Sequence, residues 1–170
     1  MAYLPKRKKV KRKKERDEFE EAKETVFHLL SFRPRSVEEV KRKLEEKGFS
    51  SLAIKRALER VKELGYLDDR DYAYMFARSS TENKHWGPVR IHDTLVKKGI
   101  SQEIINQTIA KIKEEYDITQ VARRALDTKF THFRFHQHAD KKTRSKAINY
   151  LRRKGFSWNI IFSVIKPIDG

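Results

Sequence analysis

Self-similarity at a period of about 50 residues restricts this chain more than any other feature, because each copy of a repeated unit must fold in the same way and bury its apolar face against a neighbour. Aligning Gly48, Gly99 and Gly155 brings their flanks into register. Leu44, Leu95 and Leu151 stand four residues before the glycine, and Val40, Ile91 and Ala147 stand eight before it. Phe49, Ile100 and Phe156 follow it, then Ser50, Ser101 and Ser157. Ile54, Ile105 and Ile161 align further on, as do Leu58, Ile109 and Ile165. Agreement at six positions in three copies marks a true repeat.

On both sides of the glycine the apolar residues recur at three or four positions, the spacing of one helical face. Each unit therefore reads as helix, glycine turn, helix. Glycine suits the site just past a helix because it takes positive φ without a Cβ clash, and the serine two residues later can cap the next helix. A further helical segment lies upstream of each pair, at residues 18–30, 70–78 and 118–129. Pro34 and Ser36 separate it from the pair in the first unit, where Ser36 with Glu39 fits a capping box. Trp86, Gly87 and Pro88 do so in the second. In the third, a long stretch from Thr131 to Asp140 precedes Thr143 at the matching cap position. The prediction is an all-α chain of three tandem three-helix, helix-turn-helix-like repeats at 17–67, 68–117 and 118–170, stacked into an elongated, curved array.

The composition supports several small cores and not one large one, since only 38% of residues are hydrophobic. Lys and Arg number 40 against 24 Asp and Glu, a formal charge of +16, which points to a polyanionic partner. The excess lies at the ends. Residues 1–16 hold nine basic side chains and one acid; residues 118–170 hold twelve and three. The run Lys6–Arg16 repels itself, so residues 1–16 are expected to be a disordered basic tail, either simply solvated or a nonspecific phosphate clamp. The absence of cysteine excludes disulfides and thiolate metal sites and agrees with a cytoplasmic protein. No apolar stretch is long enough for a membrane span.

Gly65, Tyr66, Leu67, Asp68 and Asp69, followed by Tyr72, Ala73 and Phe76, form a run that resembles the signature of the RecX family of RecA regulators. Gly87, Pro88, Val89, Arg90 and Ile91, then Leu95 and Lys98, Gly99, Ile100, resemble that family's next motif. Arg33, Pro34, Arg35 and Ser36, with the Lys47–Gly48–Phe49 turn, resemble its first repeat, and the Arg153–Ser157 turn its third. The resemblance covers about residues 19–165 and leaves out the basic tail. It implies a modulator, usually an inhibitor, of RecA filaments in recombination and repair, and a monomer is expected. Binding in the filament groove is expected, with nonspecific contact to single- or double-stranded DNA.

The motif residues themselves read mainly as structure. Asp68 and Asp69 precede a helix, where carboxylates cap free N–H groups and oppose the positive end of the dipole. Tyr72, Ala73 and Phe76 share a helical face and are expected in the core. His132, His136 and His138 near Asp140 match no closed zinc spacing, and Phe130, Phe133 and Phe135 make that segment read as a loop. No glycine-rich phosphate loop or nucleophile arrangement is present, so neither cofactor, metal nor enzymatic activity is expected.

Basic residues supply the candidates for contact with RecA or DNA. In the first unit they are Arg33, Arg35, Lys55, Arg56 and Arg60; in the second, Arg90, Lys97 and Lys98; in the third, Arg144, Lys146, Arg152, Arg153 and Lys154. A stand-alone helix-turn-helix DNA binder or transcriptional regulator using the first unit is the alternative; such a motif presents its second helix to the bases. In the third unit that helix, from Trp158 to Ile165, carries no basic residue, which disfavours base reading by three equivalent helices.

Overall fold

The computed structural model describes residues 6–130 and 140–165, with side chains from Arg16 onward in those ranges. Among them all regular structure is helical. The first three helices are α1 (Lys6–Phe32), α2 (Val37–Glu46) and α3 (Ser51–Glu63). Next come α4 (Asp69–Lys84), α5 (Pro88–Lys97) and α6 (Gln102–Glu115), then α7 (Ile118–Lys129), α8 (Lys141–Lys154) and α9 (Trp158–Val164). The chain divides into two compact units, Met1–Tyr72 and Ala73–Gly170, the second holding the last two helix triplets apart from the start of α4.

In the first unit α1 lies chiefly along α3, with α2 closing the triplet. Val26, Val40, Leu44, Ala57 and Val61 are wholly buried between them. In the third triplet α7, α8 and α9 enclose Ala122, Ala125, Ala147, Leu151 and Ile161 in the same manner. Leu44, Leu95 and Leu151 are each 0% exposed, as are Val40, Ile91 and Ala147, so the aligned positions are core in all three copies. Ile109 departs from the pattern: it is half-buried, while Thr108 beside it points inward.

The turn glycines explain why the register is shared. Gly48, Gly99 and Gly155 have φ of +84°, +76° and +86°. In each copy the next residue returns its N–H to the leucine four before the glycine: Phe49 to Leu44 at 3.2 Å, Ile100 to Leu95 at 3.1 Å, Phe156 to Leu151 at 3.2 Å. Each glycine N–H bonds the residue three before it at 2.9 Å. This paired pattern satisfies the last carbonyls of the helix and requires a left-handed residue at the glycine. Gly65, with φ +75°, closes α3 in the same way. Ser50 and Ser101 then cap α3 and α6 through bonds from Ala53 and Ile104 N–H, whereas Ser157 stands at the N-cap of α9 without a side-chain bond.

Several expectations are corrected. Residues 6–16 are not disordered: α1 begins at Lys6 and runs unbroken to Phe32. Lys and Arg are good helix formers, the stretch lacks Gly and Pro after Pro5, and extending a helix already nucleated by packing costs far less than starting one. The cap of α8 is Asp140 and not Thr143. Its carboxylate accepts from Thr143 N–H at 2.8 Å, so α8 starts one turn earlier than α2 and α5 do relative to the glycine. Phe76 is half-buried and not core, set edge-on to Trp86 and under the Lys98 ammonium. The segment with His132, His136 and His138 lies outside the described residues.

The two aspartates of the signature divide their work. Asp68 caps α4, accepting from Arg70 and Asp71 N–H at 2.6 and 3.3 Å. Asp69 is instead the first residue of α4, and its Oδ1 accepts the Val37 N–H at 2.9 Å, tying α4 to the start of α2. Burial, opposed by the Val37 bond, raises the Asp69 carboxyl above the usual range. A carboxyl raised in the folded state favours folding most when protonated, so this contribution is lost as pH rises through its elevated pKa. Asp69→Asn keeps the acceptor and removes the charge, and should leave stability at neutral pH within about 0.5 kcal/mol. Asp69→Ala leaves the Val37 N–H without its partner and should cost about 1 kcal/mol or more by urea unfolding.

Candidate functional site

The basic candidates fall into three physical classes once their partners are known. In the first unit most cations are spent on neighbouring acids. Lys41, Arg42, Lys43, Lys55 and Arg60 face Glu45, Glu38, Glu46, Glu59 and Glu63 one turn away along their own helices. Arg33 pairs with Glu39 at 3.2 Å, Arg35 donates to the Leu29 carbonyl at 3.1 Å, and Arg56 lies over the Phe19 ring. Such i, i+3 and i, i+4 pairs give a solvated helix surface a few tenths of a kcal/mol each, and leave little free charge for a ligand.

A second class joins the second and third triplets inside the Ala73–Gly170 unit. Gly87 N–H donates to the Lys154 carbonyl at 2.7 Å, and Val89 N–H to the Gly155 carbonyl at 3.1 Å. The Arg90 guanidinium lies 4.1 Å from the Trp86 ring centroid and donates to the Arg153 carbonyl at 3.0 Å. Lys154 donates to the Lys84 carbonyl at 2.6 Å, and burial together with Arg90 lowers its ammonium pKa. The backbones meet so closely that a Cβ on Gly87 would stand 2.3 Å from the Gly155 oxygen. A Cβ on Gly155 would stand 2.3 Å from Arg90 N. Arg90 and Lys154 are thus committed to this junction, and Gly87–Pro88 serves it together with starting α5.

The third class makes no ion pair among the described residues, although Lys142 and Lys146 lie near enough to Asp140 to add to the Thr143 hydrogen bonds in lowering its carboxyl pKa. From Lys141 to Val164 there are seven basic residues and no acid. Lys142, Lys146, Asn149 and Arg153 are exposed at helical spacing on α8, forming one polar stripe. Among the described residues Arg144, Lys146, Arg152 and Arg153 form no ion pair, nor do Arg123, Arg124, Lys141 and Lys142. Lys97 on α5 is exposed as well. Beside the stripe, Trp158 and Phe162 of α9 stack with centroids 5.4 Å apart and planes inclined by 18°. Arg152 lies over the indole at 4.8 Å, and the two aromatics are 47% and 50% exposed.

Sequence reasoning named Arg144, Lys146, Arg152 and Arg153 but missed the exposed Arg123, Arg124, Lys141 and Lys142. For Lys141 and Lys142 the signal is the lack of an acid three or four residues away; Arg123 and Arg124 have Asp127 at that spacing. Trp158 and Phe162 were also missed, although their i, i+4 spacing on a short helix that also carries Ile161 marks a second, outward face. In the signature run, Leu67, Tyr72 and Ala73 are buried, while Tyr66 is 65% exposed and meets Phe27 edge-on.

Comparison with known proteins follows the same three triplets. Residues 22–60 match the family described as RecX, first three-helix domain; residues 68–109 match the second such domain and residues 115–165 the third. The regulatory protein RecX of Pelodictyon phaeoclathratiforme is 33% identical over 141 residues, covering 83% of this chain and 84% of its own. That of Syntrophotalea carbinolica is 32% identical over 139 residues, 81% and 90% of the two chains. A crystal structure of a regulatory protein RecX superposes with a TM-score of 0.81 at 22% identity, over 97% of this chain and 80% of that one.

Proposed function

The chain belongs to the RecX family, and from that premise we propose that it modulates RecA recombinase filaments, in the inhibitory direction, as a binding protein and not as an enzyme. Its relatives are named regulatory proteins. The observation that carries the reading is the uneven use of charge across three otherwise equivalent repeats. Along α2 and α3 the first pairs Lys41, Arg42, Lys43, Lys55 and Arg60 with glutamates one turn away, and the third presents a row of cations with no acid from Lys141 to Val164. A surface of this kind contacts phosphates without reading sequence. Residues 17–117, with nearly balanced charge, are left for contact with protein. Engagement in the filament groove, cytoplasmic location and action as a monomer belong to the same proposal.

The alternative of a stand-alone helix-turn-helix regulator is disfavoured by α3, whose Lys55 and Arg60 are paired with Glu59 and Glu63, and by α9, which is aromatic and uncharged. Co-sedimentation separates the two. The protein is expected to pellet with RecA assembled on single-stranded DNA at salt concentrations that release it from the same DNA alone. Equal salt sensitivity in both cases would favour the plain DNA binder.

A further inference from the structure

The α8–α9 surface of the third repeat combines two features that simple phosphate contact does not require. One is an aromatic step, Trp158 stacked on Phe162, with about half of each side chain exposed. The other is Arg152, whose guanidinium is held over the indole and makes no ion pair among the described residues. Stacking on the ring restricts the guanidinium without using its N–H donors, which leaves a planar fork oriented for an anion. Lys146 and Arg153 continue the positive charge along α8.

The ligand that matches this layout carries a negative charge and a planar ring at each repeat of its chain. Single-stranded nucleic acid has both: its phosphates suit the cations, and its unstacked bases suit an exposed aromatic face. A duplex offers the same phosphates but hides the faces of its bases. An acidic peptide offers the charge without the rings. We propose that Trp158, Phe162 and Arg152 form a base-stacking site that gives the third repeat a preference for single-stranded over double-stranded nucleic acid. The proposal rests on reading the α8 stripe as a phosphate-contacting surface and adds to it the class of strand and the residues that select it.

The test measures binding of the full-length chain to a short labelled oligo(dT), to a duplex of equal length and to polyglutamate, at one fixed salt concentration. Trp158→Ala and Phe162→Ala are each expected to weaken oligo(dT) binding about tenfold, with duplex binding changed less than about twofold. Trp158→Phe should restore oligo(dT) affinity to within about twofold and abolish the quenching of tryptophan emission by the oligonucleotide, with circular dichroism confirming an unchanged helix content. Equal losses for oligo(dT) and duplex overturn the proposal, and so does an equal loss for polyglutamate, which would make the step a site for acidic peptides. Lys146→Gln distinguishes the two layers of the reading. If it weakens oligo(dT) binding and Trp158→Ala does not, the phosphate surface stands and the stacking site falls; if neither does, both fall.

Discussion

Replacing Gly155 by alanine should destabilise the Ala73–Gly170 unit by about 4 kcal/mol or more, several times the cost of the same change at Gly48. Both glycines are left-handed, with φ of +86° and +84°, so each substitution carries a conformational cost of about 1 kcal/mol. Around Gly48 a new Cβ meets nothing within 4 Å, and the cost ends there. At Gly155 the new Cβ stands 2.3 Å from Arg90 N and 2.4 Å from Arg90 Cβ, both close to backbone and unable to yield. Relieving that overlap must part the two strands of chain that exchange the Gly87–Lys154 and Val89–Gly155 hydrogen bonds. Two such bonds and the strain of overpacking account for about 3 kcal/mol beyond the φ penalty. Urea unfolding of both variants measures the difference; equal losses would mean that the junction is not a close backbone contact.

The second large effect is on nucleic-acid affinity, and it compares two triplets of cations equal in number and different in company. Changing Lys142, Lys146 and Arg153 to glutamine removes three charges from the unpaired stripe of α8. Changing Lys41, Lys43 and Lys55 to glutamine removes three charges already opposed by Glu45, Glu46 and Glu59. If the stripe meets phosphates, the first variant should bind naked DNA roughly a hundredfold more weakly near 0.1 M salt, with the log–log salt slope shallower by about 2 to 3. The second should change affinity by less than about threefold, because long-range charge alone is screened at that ionic strength. Equal losses would show that net charge and not the stripe controls binding. Lys154 is left out of the first variant because its ammonium holds the Lys84 carbonyl at the junction.

The repeat itself was legible because its cause is local. A leucine, a glycine four residues on and an apolar residue after it specify a helix end with one set of hydrogen bonds, and Leu44, Leu95 and Leu151 with their glycines repeat that set. What escaped the sequence was every feature set by partners distant along the chain. Gly87 and Gly155 read as a helix start and a helix end; that each is also glycine because the other's backbone lies against it depends on contacts 68 residues apart. Arg90 and Lys154 looked like free cations of the same standing as Arg153 until their acceptors, two backbone carbonyls, were located. Asp69 looked like a helix cap beside Asp68, and its true partner is the Val37 N–H at the start of α2. The helical course of residues 6–16 was obscured for another reason: charge repulsion argues against order in an isolated peptide, while continuity with a packed helix argues for it.

ATP hydrolysis by RecA on single-stranded DNA, followed while the protein is titrated in, tests the central claim most directly, because it reports on the filament and not on DNA occupancy alone. The account predicts a rate that falls progressively as the protein is added. It also predicts that the Lys142, Lys146 and Arg153 glutamine variant keeps more of this effect than of its affinity for naked DNA, since the nearly charge-balanced residues 17–117 still meet protein. A hydrolysis rate unchanged at stoichiometric amounts of folded protein would contradict it.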